Sequence, residues 1–243
     1  MSPVACAACP LRKRPLFTPF TPEEVVFMQK FKVGELIVDR GTTLLMEGSN
    51  SPQLFTVLRG QGIRYTTLEN GRRQVINFLF PGDFAGLQAG LMGEMKHSVE
   101  SSSDMTLCVF DRAELWNMFR LQPGRAYDLT WIAAVEEHFL GETIASIGQR
   151  NAEQRVAWAL LRIYERLAAV GLVTEASVPL PFRQQDMADA LGLSLVHTNK
   201  TLARLREAQM VNWHDGRLHV RNREALAKLA LVDLERPEIR PLM

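Results

Sequence analysis

The sequence has few cysteines and no long apolar run, and each shortage excludes a class of protein. Its 243 residues include three cysteines, too few for the disulfide framework of a small secreted domain. No run of 18 apolar residues occurs, so no transmembrane helix is predicted, and no apolar signal-peptide segment is seen near the start. We therefore expect a cytoplasmic protein with no membrane partner.

Histidine is scarce where a metalloenzyme would need it. Only His97 of the five histidines lies in the β-rich part of the sequence. A cupin-type metal site needs two or more histidines and a carboxylate inside its barrel. The Gly-x-Ser-x-Gly, P-loop and His-Glu-x-x-His patterns are also absent. A cupin-type metalloenzyme is thus the weakest alternative, and we expect no enzyme activity.

The stretch 182–206 has the pattern of two helices joined by a tight turn. Met187 and Leu191 repeat at helical spacing, and Gly192 stands where a left-handed residue ends the first helix. Ser194 is a favourable N-cap for the second helix. The alternative is an ordinary helical hairpin with a solvated polar face. The helix-turn-helix interpretation predicts sequence-specific binding to double-stranded DNA.

The second helix is predicted to turn Leu195, Leu202 and Leu205 inward and a polar, basic face outward. Side chains of that face can bind base edges or phosphates, and the valine and threonine methyls can meet a thymine methyl. Further arginines are expected on the DNA backbone. The predicted DNA-binding residues are Arg183, Ser194, Val196, His197, Asn199, Lys200, Arg204, Arg206 and Arg217.

A short hairpin follows the two helices. Residues 210–220 read as two strands around Asp215-Gly216, a strong two-residue turn signal, so the domain is predicted to be a winged helix. The net charge of the chain is only +1, but residues 179–230 hold eight Lys/Arg against five Asp/Glu. This modest excess suits DNA binding without establishing it.

The region 32–112 consists of short β-rich runs separated by glycines at intervals of 14, 12, 11 and 11 residues. Even spacing of this kind is typical of a β-roll or jelly roll. We therefore predict an α+β protein. Its predicted parts are a cysteine-containing arm (1–20), a β-roll sensor domain (21–122), a dimerisation helix (123–150) and a winged helix-turn-helix domain (151–243).

The helix that Pro123 opens carries an apolar stripe through Leu129, Ile132, Phe139 and Ile147. Such a helix has little chain of its own to cover it, which favours pairing with a second copy. The alternative is packing on its own β-roll. Residues 235–243 are proline-rich and polar and are expected to fray.

The order of β-roll, long helix and winged helix, with Gly82-Asp83-Phe84 and the Leu191–Ser194 turn, resembles the Crp/Fnr superfamily of bacterial transcription regulators. The resemblance covers roughly residues 20–230. It implies a homodimer that binds a two-fold symmetric operator, with one recognition helix in each major groove. The long helix would then form the dimer contact, and RNA polymerase would be a partner if the protein is an activator.

Two departures from the family pattern argue against the cyclic-nucleotide-binding branch. That branch has a glutamate for the ribose where this chain has Leu87, and an arginine for the phosphate where it has His97, before Ser98. Leucine accepts no hydrogen bond, and histidine is a weak, pH-dependent phosphate partner. Cyclic AMP is therefore not expected as the effector.

The cysteines resemble the oxygen-sensing Fnr branch, which holds an iron–sulfur cluster. Cys6 and Cys9 form a C-x-x-C pair, and Cys108 falls at the distal position of that branch. A further cysteine is missing where Phe17 stands, although a cluster normally takes four thiolates. Three readings stay open: a cluster or metal with an unidentified fourth ligand, a redox-responsive thiol pair, or cysteines without chemistry.

The recognition helix also departs from the resemblance. The Fnr and cyclic-AMP-receptor branches use a glutamate and a terminal arginine where this chain has Val196 and Lys200. Glutamate accepts from cytosine and arginine binds guanine in a bidentate manner, so the half-site should differ. We predict a DNA-binding regulator that responds to a redox, oxygen or small-molecule signal. A constitutive dimeric regulator with a purely structural β-roll is the alternative.

Overall fold

The computed structural model describes residues 3–234 and 236–243. The chain forms two compact units. The first unit runs up to Thr67, takes in Ile76–Glu136 and ends with Ile239–Met243. The second unit comprises Leu68–Val75 and Glu137–Glu238. No helix among the described residues is long and apolar enough to cross a membrane.

Eight strands between residues 32 and 111 form two four-stranded sheets, ordered β1-β8-β3-β6 and β2-β7-β4-β5. This arrangement confirms the predicted β-roll. The strands are β1 (Lys32–Val38), β2 (Thr43–Leu45), β3 (Gln53–Arg59), β4 (Gly62–Thr67), β5 (Arg73–Leu79), β6 (Phe84–Ala85), β7 (Ser98–Ser101) and β8 (Met105–Asp111).

Apolar side chains from both sheets meet in one core. Val57 of β3 and Val99 of β7 come from different sheets, and both are completely buried. Each fully buried side chain of this size contributes about 1.5–3 kcal/mol relative to an exposed one. The β-roll is thus held by the burial of one face of each sheet.

Helices cover the outer side of the first sheet. Thr21 starts α1 (Pro22–Phe31) with the predicted cap, because Glu24 N donates to its hydroxyl at 3.2 Å. Phe31 then stacks on Phe110 of β8, with ring centroids 4.9 Å apart. This second core also includes residues of α3 (Leu115–Leu121) and the first half of α4 (Pro123–Gln149). The short α2 (Leu87–Met92) follows β6.

The apolar stripe of α4 packs on its own chain. Leu129 and Ile132 are buried in the second core of the first unit. In the second unit Phe139 stacks on Trp158 at 6.0 Å. Residues of the same chain thus cover the stripe at Leu129 and Ile132, as the alternative of packing on the β-roll expects, whereas Phe139 and Ile147 are half-buried. Pairing of α4 with a second copy stays a prediction. A different face of α4 is left exposed.

The second unit contains a helix-turn-helix flanked by two further helices. Asn151 and Gln154 form the predicted capping box at the start of α5. The strands β10 and β11 form the predicted hairpin, and β9 adds a third strand to it. The remaining elements are α5 (Ala152–Ala169), β9 (Ser177–Pro179), α6 (Gln184–Leu191), α7 (Leu195–Glu207), β10 (Val211–His214), β11 (Arg217–Val220) and α8 (Arg223–Ala230).

The end of the sequence does not fray as expected. Arg240, Leu242 and Met243 are each at most 4% exposed and belong to the first unit. The prediction failed because two apolar side chains and one ion-paired arginine find partners in the β-roll, which composition alone does not show. Glu235, the first residue of the predicted frayed stretch, lies outside the described residues.

Two glycines with left-handed backbones provide a matched test of this fold. A Cβ on Gly60 (φ +86°) would lie 2.3 Å from the backbone oxygen of Asp104, whereas one on Gly71 (φ +78°) would meet nothing within 4 Å. Gly60→Ala is therefore expected to lower the free energy of unfolding by about 2 kcal/mol more than Gly71→Ala. Urea denaturation of both variants measures the difference, and equal losses would contradict the backbone clash.

Candidate DNA-binding surface and cysteine cavity

The recognition helix α7 begins at the predicted cap and buries an unexpected stripe. Ser194 accepts a hydrogen bond from His197 N at 3.2 Å. Thr198, Thr201 and Leu205 are buried. The prediction that Leu195 faces inward is wrong, because this residue is 39% exposed.

The period of α7 explains that correction. Positions 198, 201 and 205 follow the 3–4 spacing of one helix face, and all three are buried. Leu195 is the first residue of the helix, where neighbouring elements do not cover the side chain. Leu202 is half-buried beside them. The threonine methyls face inward and are not free to meet a thymine.

The opposite face of α7 gathers most of the predicted DNA-binding residues. Val196 is 65% exposed, and His197, Asn199 and Lys200 are exposed beside it. The N-terminal half of the helix thus presents one apolar side chain, one imidazole, one amide and one ammonium group. These are the groups that read thymine methyls, adenine edges and guanine or phosphate oxygens.

Three predicted arginines already have partners within the second unit. Arg183 donates to Asp186 Oδ1 at 2.7 Å, and Arg204 lies 3.2 Å from Glu153 Oε1. Arg217 donates to the Ser177 hydroxyl at 2.9 Å. Arg204 and Glu153 form a surface pair, so exchange of Glu153 for a phosphate costs little, whereas Asp186, the partner of Arg183, is buried. Arg206 is exposed near the end of α7.

The wing carries two histidines that the sequence analysis did not assign. Asp215 and Gly216 both have positive φ (50° and 68°), which suits the tight turn between β10 and β11. The rings of His214 and His219 stack with centroids 5.0 Å apart. The two histidines lie on facing strands, diagonally across the predicted hairpin. Their contact could have been predicted from this spacing around the Asp215-Gly216 turn.

The three cysteines line one cavity of the first unit. Its walls are mostly apolar and include Phe20, Met28 and Phe110. Cys6, Cys9 and Cys108 are free thiols, each half-buried. The arm therefore folds back onto the β-roll, as convergence of these residues requires.

A buried ion pair lies beside the thiols. Lys32 Nζ donates to Glu35 Oε1 at 2.6 Å and to the Val4 carbonyl at 2.7 Å. Burial raises the pKa of Cys6, and it raises the pKa of Cys108 to about 11 although Lys32 opposes the shift. Without a bound ligand both thiols are thus protonated at neutral pH, and a protonated thiol is a poor nucleophile toward an oxidant.

The donor set fits an iron–sulfur cluster only in part. Thiolates are the right ligands, and three of them share a cavity. Within residues 3–234 and 236–243, however, no group of three or more His, Cys, Asp or Glu side chains is arranged to hold a metal. Glu35, the carboxylate beside the thiols, already accepts from Lys32 and from Val4 N.

The raised pKa of Cys108 predicts a pH-dependent reactivity. Below a pKa of about 11 the thiolate fraction grows with pH, so the alkylation rate should rise about tenfold per unit between pH 7 and 9. A solvated thiol, with a pKa near 8.5, levels off within this range. Mass spectrometry of iodoacetamide-treated protein measures the Cys108 rate, and a plateau by pH 9 would contradict the prediction.

Another polar cluster lies inside the first unit, which the sequence analysis missed because its members are far apart in the chain. Arg64 donates to Glu136 Oε2 at 2.6 Å and to the Phe84 carbonyl at 2.6 Å. Asn77 Nδ2 donates to the same Glu136 oxygen at 3.0 Å. The buried guanidinium is thus bound to a carboxylate of the protein itself.

The three residues at the nucleotide-binding positions of the family, Leu87, His97 and Ser98, are also poorly suited to bind an anion. Burial, with a smaller contribution from Arg64, lowers the pKa of His97 to about 4, so this side chain is neutral at pH 7. Ser98 Oγ accepts from Glu47 N at 3.0 Å. Leu87 packs against the second apolar core. None of these three side chains offers a charge to a phosphate.

Comparisons with known proteins agree with this architecture. A cyclic nucleotide-binding domain profile matches residues 35–122, and a Crp-like helix-turn-helix domain profile matches residues 154–229. The nitrogen fixation regulation protein FixK of Bradyrhizobium diazoefficiens is 32% identical over 165 residues, which cover 68% of each protein. The transcriptional activator protein FnrL of Cereibacter sphaeroides is 26% identical over 219 residues, 88% of this chain and 86% of FnrL.

The solved structure of FixK2 from Bradyrhizobium japonicum has the same fold, with a TM-score of 0.73 and 24% identity over 83% of this chain and 98% of that one. Fold and matches define a DNA-binding transcription regulator with a winged helix and a cyclic-nucleotide-binding-like β-roll. The chain belongs to the Crp/Fnr family. The relatives are regulators and not enzymes, as the sequence analysis expected.

Proposed function

We propose that this protein is a homodimeric regulator that reads a two-fold symmetric operator with the N-terminal half of α7. The observation that carries the proposal is the exposed set Val196, His197, Asn199 and Lys200, on the face of α7 opposite its buried stripe. The wing and Arg206 would add contacts to the DNA backbone. The operator is expected to differ from those of Fnr and the cyclic-AMP receptor, because Val196 and Lys200 replace a glutamate and an arginine.

The dimer contact is proposed for the exposed face of α4. Tyr127 and Ile144 are 71% and 72% exposed, although both are large apolar residues on a long helix. Small residues accompany them at Ala134, Gly141 and Gly148, which follow Tyr127 at intervals of seven residues, the repeat of a helix seam. Small side chains let two helices approach closely, and the large ones then fill the space between the small positions.

We propose the cysteine cavity as the signal input of this regulator. The three thiols line one cavity, whereas the nucleotide-type positions hold leucine and a neutral histidine. A redox, oxygen or small-molecule signal is therefore favoured over cyclic AMP. The alternative, a constitutive regulator with a purely structural β-roll, draws support from the high pKa of Cys108.

The expected cellular setting follows from this function. We propose that the protein acts in the cytoplasm, where operators and RNA polymerase are found, and that it contacts polymerase if it activates. The arm (1–20), sensor domain (21–122), dimerisation helix (123–150) and DNA-binding domain (151–243) stay our working division of the chain.

Selection of bound sequences from a random duplex library tests the DNA-binding proposal. The expected result is a palindrome with half-sites about one helical turn apart, which matches two recognition helices. The Fnr and cyclic-AMP-receptor operators serve as comparison duplexes at physiological salt. Nanomolar binding to either of them, or enrichment of a single half-site without symmetry, would refute the proposal.

Strictly anaerobic purification tests the signal proposal separately. The absorption spectrum, iron and acid-labile sulfide are measured on one sample, before and after exposure to air. Stoichiometric iron and sulfide that are lost in air would support a cluster held by the three cysteines. A colourless, iron-free protein that also resists reconstitution would leave thiol oxidation and the constitutive alternative, which DNA binding with and without a thiol oxidant then separates.

A further inference from the structure

The segment Ile239–Met243 pairs with arm residues 16–18 of the first unit through one isolated β-bridge. Arg240 N donates to the Leu16 carbonyl at 2.9 Å, and Thr18 N donates to the Arg240 carbonyl at 2.9 Å. Phe17 and Arg240 pair in parallel orientation. Main-chain bonds of this kind hold extended peptides in β-augmentation complexes.

Side chains then fix the register of the segment. The Arg240 guanidinium is buried, with Nη1 3.4 Å from Asp83 Oδ1. Thr56 Oγ1 donates to the Met243 carbonyl at 2.5 Å, and Arg125 Nη1 lies 3.3 Å from the Leu242 carbonyl. A buried arginine is tolerated only with a partner charge, so Asp83 selects an arginine at this position.

The two apolar residues of the segment reach the cysteine cavity. Leu242 and Met243 line it together with Cys6, Cys9 and Cys108. Met243 also belongs to the apolar core that Cys6 and Cys108 pack against. The segment thus supplies part of the wall that separates the thiols from solvent.

We propose that the first unit carries a peptide-binding site whose ligand is the chain's own segment Ile239–Met243, and that docking of this segment closes the cysteine cavity. The site selects an arginine two positions before an apolar pair. This inference goes beyond the proposed function, because neither dimerisation nor DNA binding requires it.

Docking and cysteine chemistry are then linked. A group added to Cys108 would enter the cavity that Leu242 and Met243 line. Modification should therefore weaken docking, and release of the segment should speed modification by the same coupling. The cavity thereby converts a chemical event at a thiol into the release of a chain segment.

The test measures alkylation of Cys108 at pH 8 by mass spectrometry, in the full chain and in a variant that lacks residues 239–243. The variant is expected to react at least about tenfold faster. A synthetic peptide of residues 236–243 should return the rate toward that of the full chain, and a scrambled peptide should not. A folded variant with an unchanged rate, or a peptide no better than its scrambled form, overturns the proposal.

A second variant keeps the test valid if the deletion does not fold, as judged by circular dichroism. Arg240→Ala in the full chain removes the ion pair with Asp83 and leaves both apolar residues in place. It should raise the Cys108 rate about threefold or more. Arg236→Ala, which removes an exposed arginine just before the segment, should not change it. Equal rates in these two variants overturn the proposal.

Discussion

Lys200→Ala is expected to lower the affinity for the selected operator by about 30-fold or more. A base contact of this kind is worth about 1–3 kcal/mol, and a symmetric dimer loses it in both half-sites. The side chain lies exposed on the N-terminal half of α7, where a recognition helix enters the major groove. Fluorescence anisotropy with the operator and with a scrambled duplex, at one fixed salt concentration, measures the loss.

Lys228→Ala is the matched control. Lys228 is an exposed lysine of α8 in the same unit, so this variant loses the same charge away from the proposed surface. Its affinity should change less than about threefold. A loss for Lys200→Ala that is equal on operator and scrambled duplex would mark a phosphate contact. Equal affinities of the two variants would show that α7 does not face the DNA in this way.

Local signals carried most of the predictions that the structure confirms. The capping residues at Asn151 and Ser194 act within four residues of chain, and Asp215-Gly216 forms its turn from its own backbone preferences. Interactions of this range depend only on residues that are close in sequence, so a sequence pattern can predict them. The β-roll followed for the same reason, because its turns recur at regular intervals.

Predictions of which side chains are buried failed where the residues that cover them are distant in sequence. Leu195 has the more apolar side chain, yet Thr198 is buried, because the position on the helix decides which side chain meets the neighbouring elements. Leu129 and Ile132 were read as a pairing stripe, although residues of their own unit cover them. The buried Met243 is the extreme case, since Thr56, its hydrogen-bond partner, lies 187 residues earlier.

The candidate site divides in the same way. The exposed face of α7 is a property of one helix and could be deduced from its period. The meeting of Cys6 with Cys108 depends on the folding of the arm, and the Arg64–Glu136 pair joins two elements that no local pattern relates. The sequence resemblance proposed a role for the cysteines, but only the fold shows the apolar walls that keep Cys6 and Cys108 protonated and the lysine that opposes this effect.

Ile144→Glu is expected to dissociate the proposed dimer, raising its dissociation constant more than about 100-fold. Ile144 is 72% exposed on α4, between Gly141 and Gly148, where a helix of a second copy would bury it. The substitution places two like charges without partners in an apolar seam, and each buried unpaired charge costs several kcal/mol. Sedimentation velocity over a range of protein concentrations measures the dissociation constant.

The Ile144→Glu variant should also bind the two-fold operator less tightly. A monomer bound to one half-site does not raise the effective concentration of a second recognition helix at the other half-site. Val26→Glu is the matched control, since it adds the same charge to an exposed valine of α1, which is not part of the proposed contact face of α4. That variant should sediment as the parent protein does. Dimers of Ile144→Glu that persist at micromolar concentration would move the contact elsewhere on the chain, and the operator symmetry would then need another pair of surfaces to explain it.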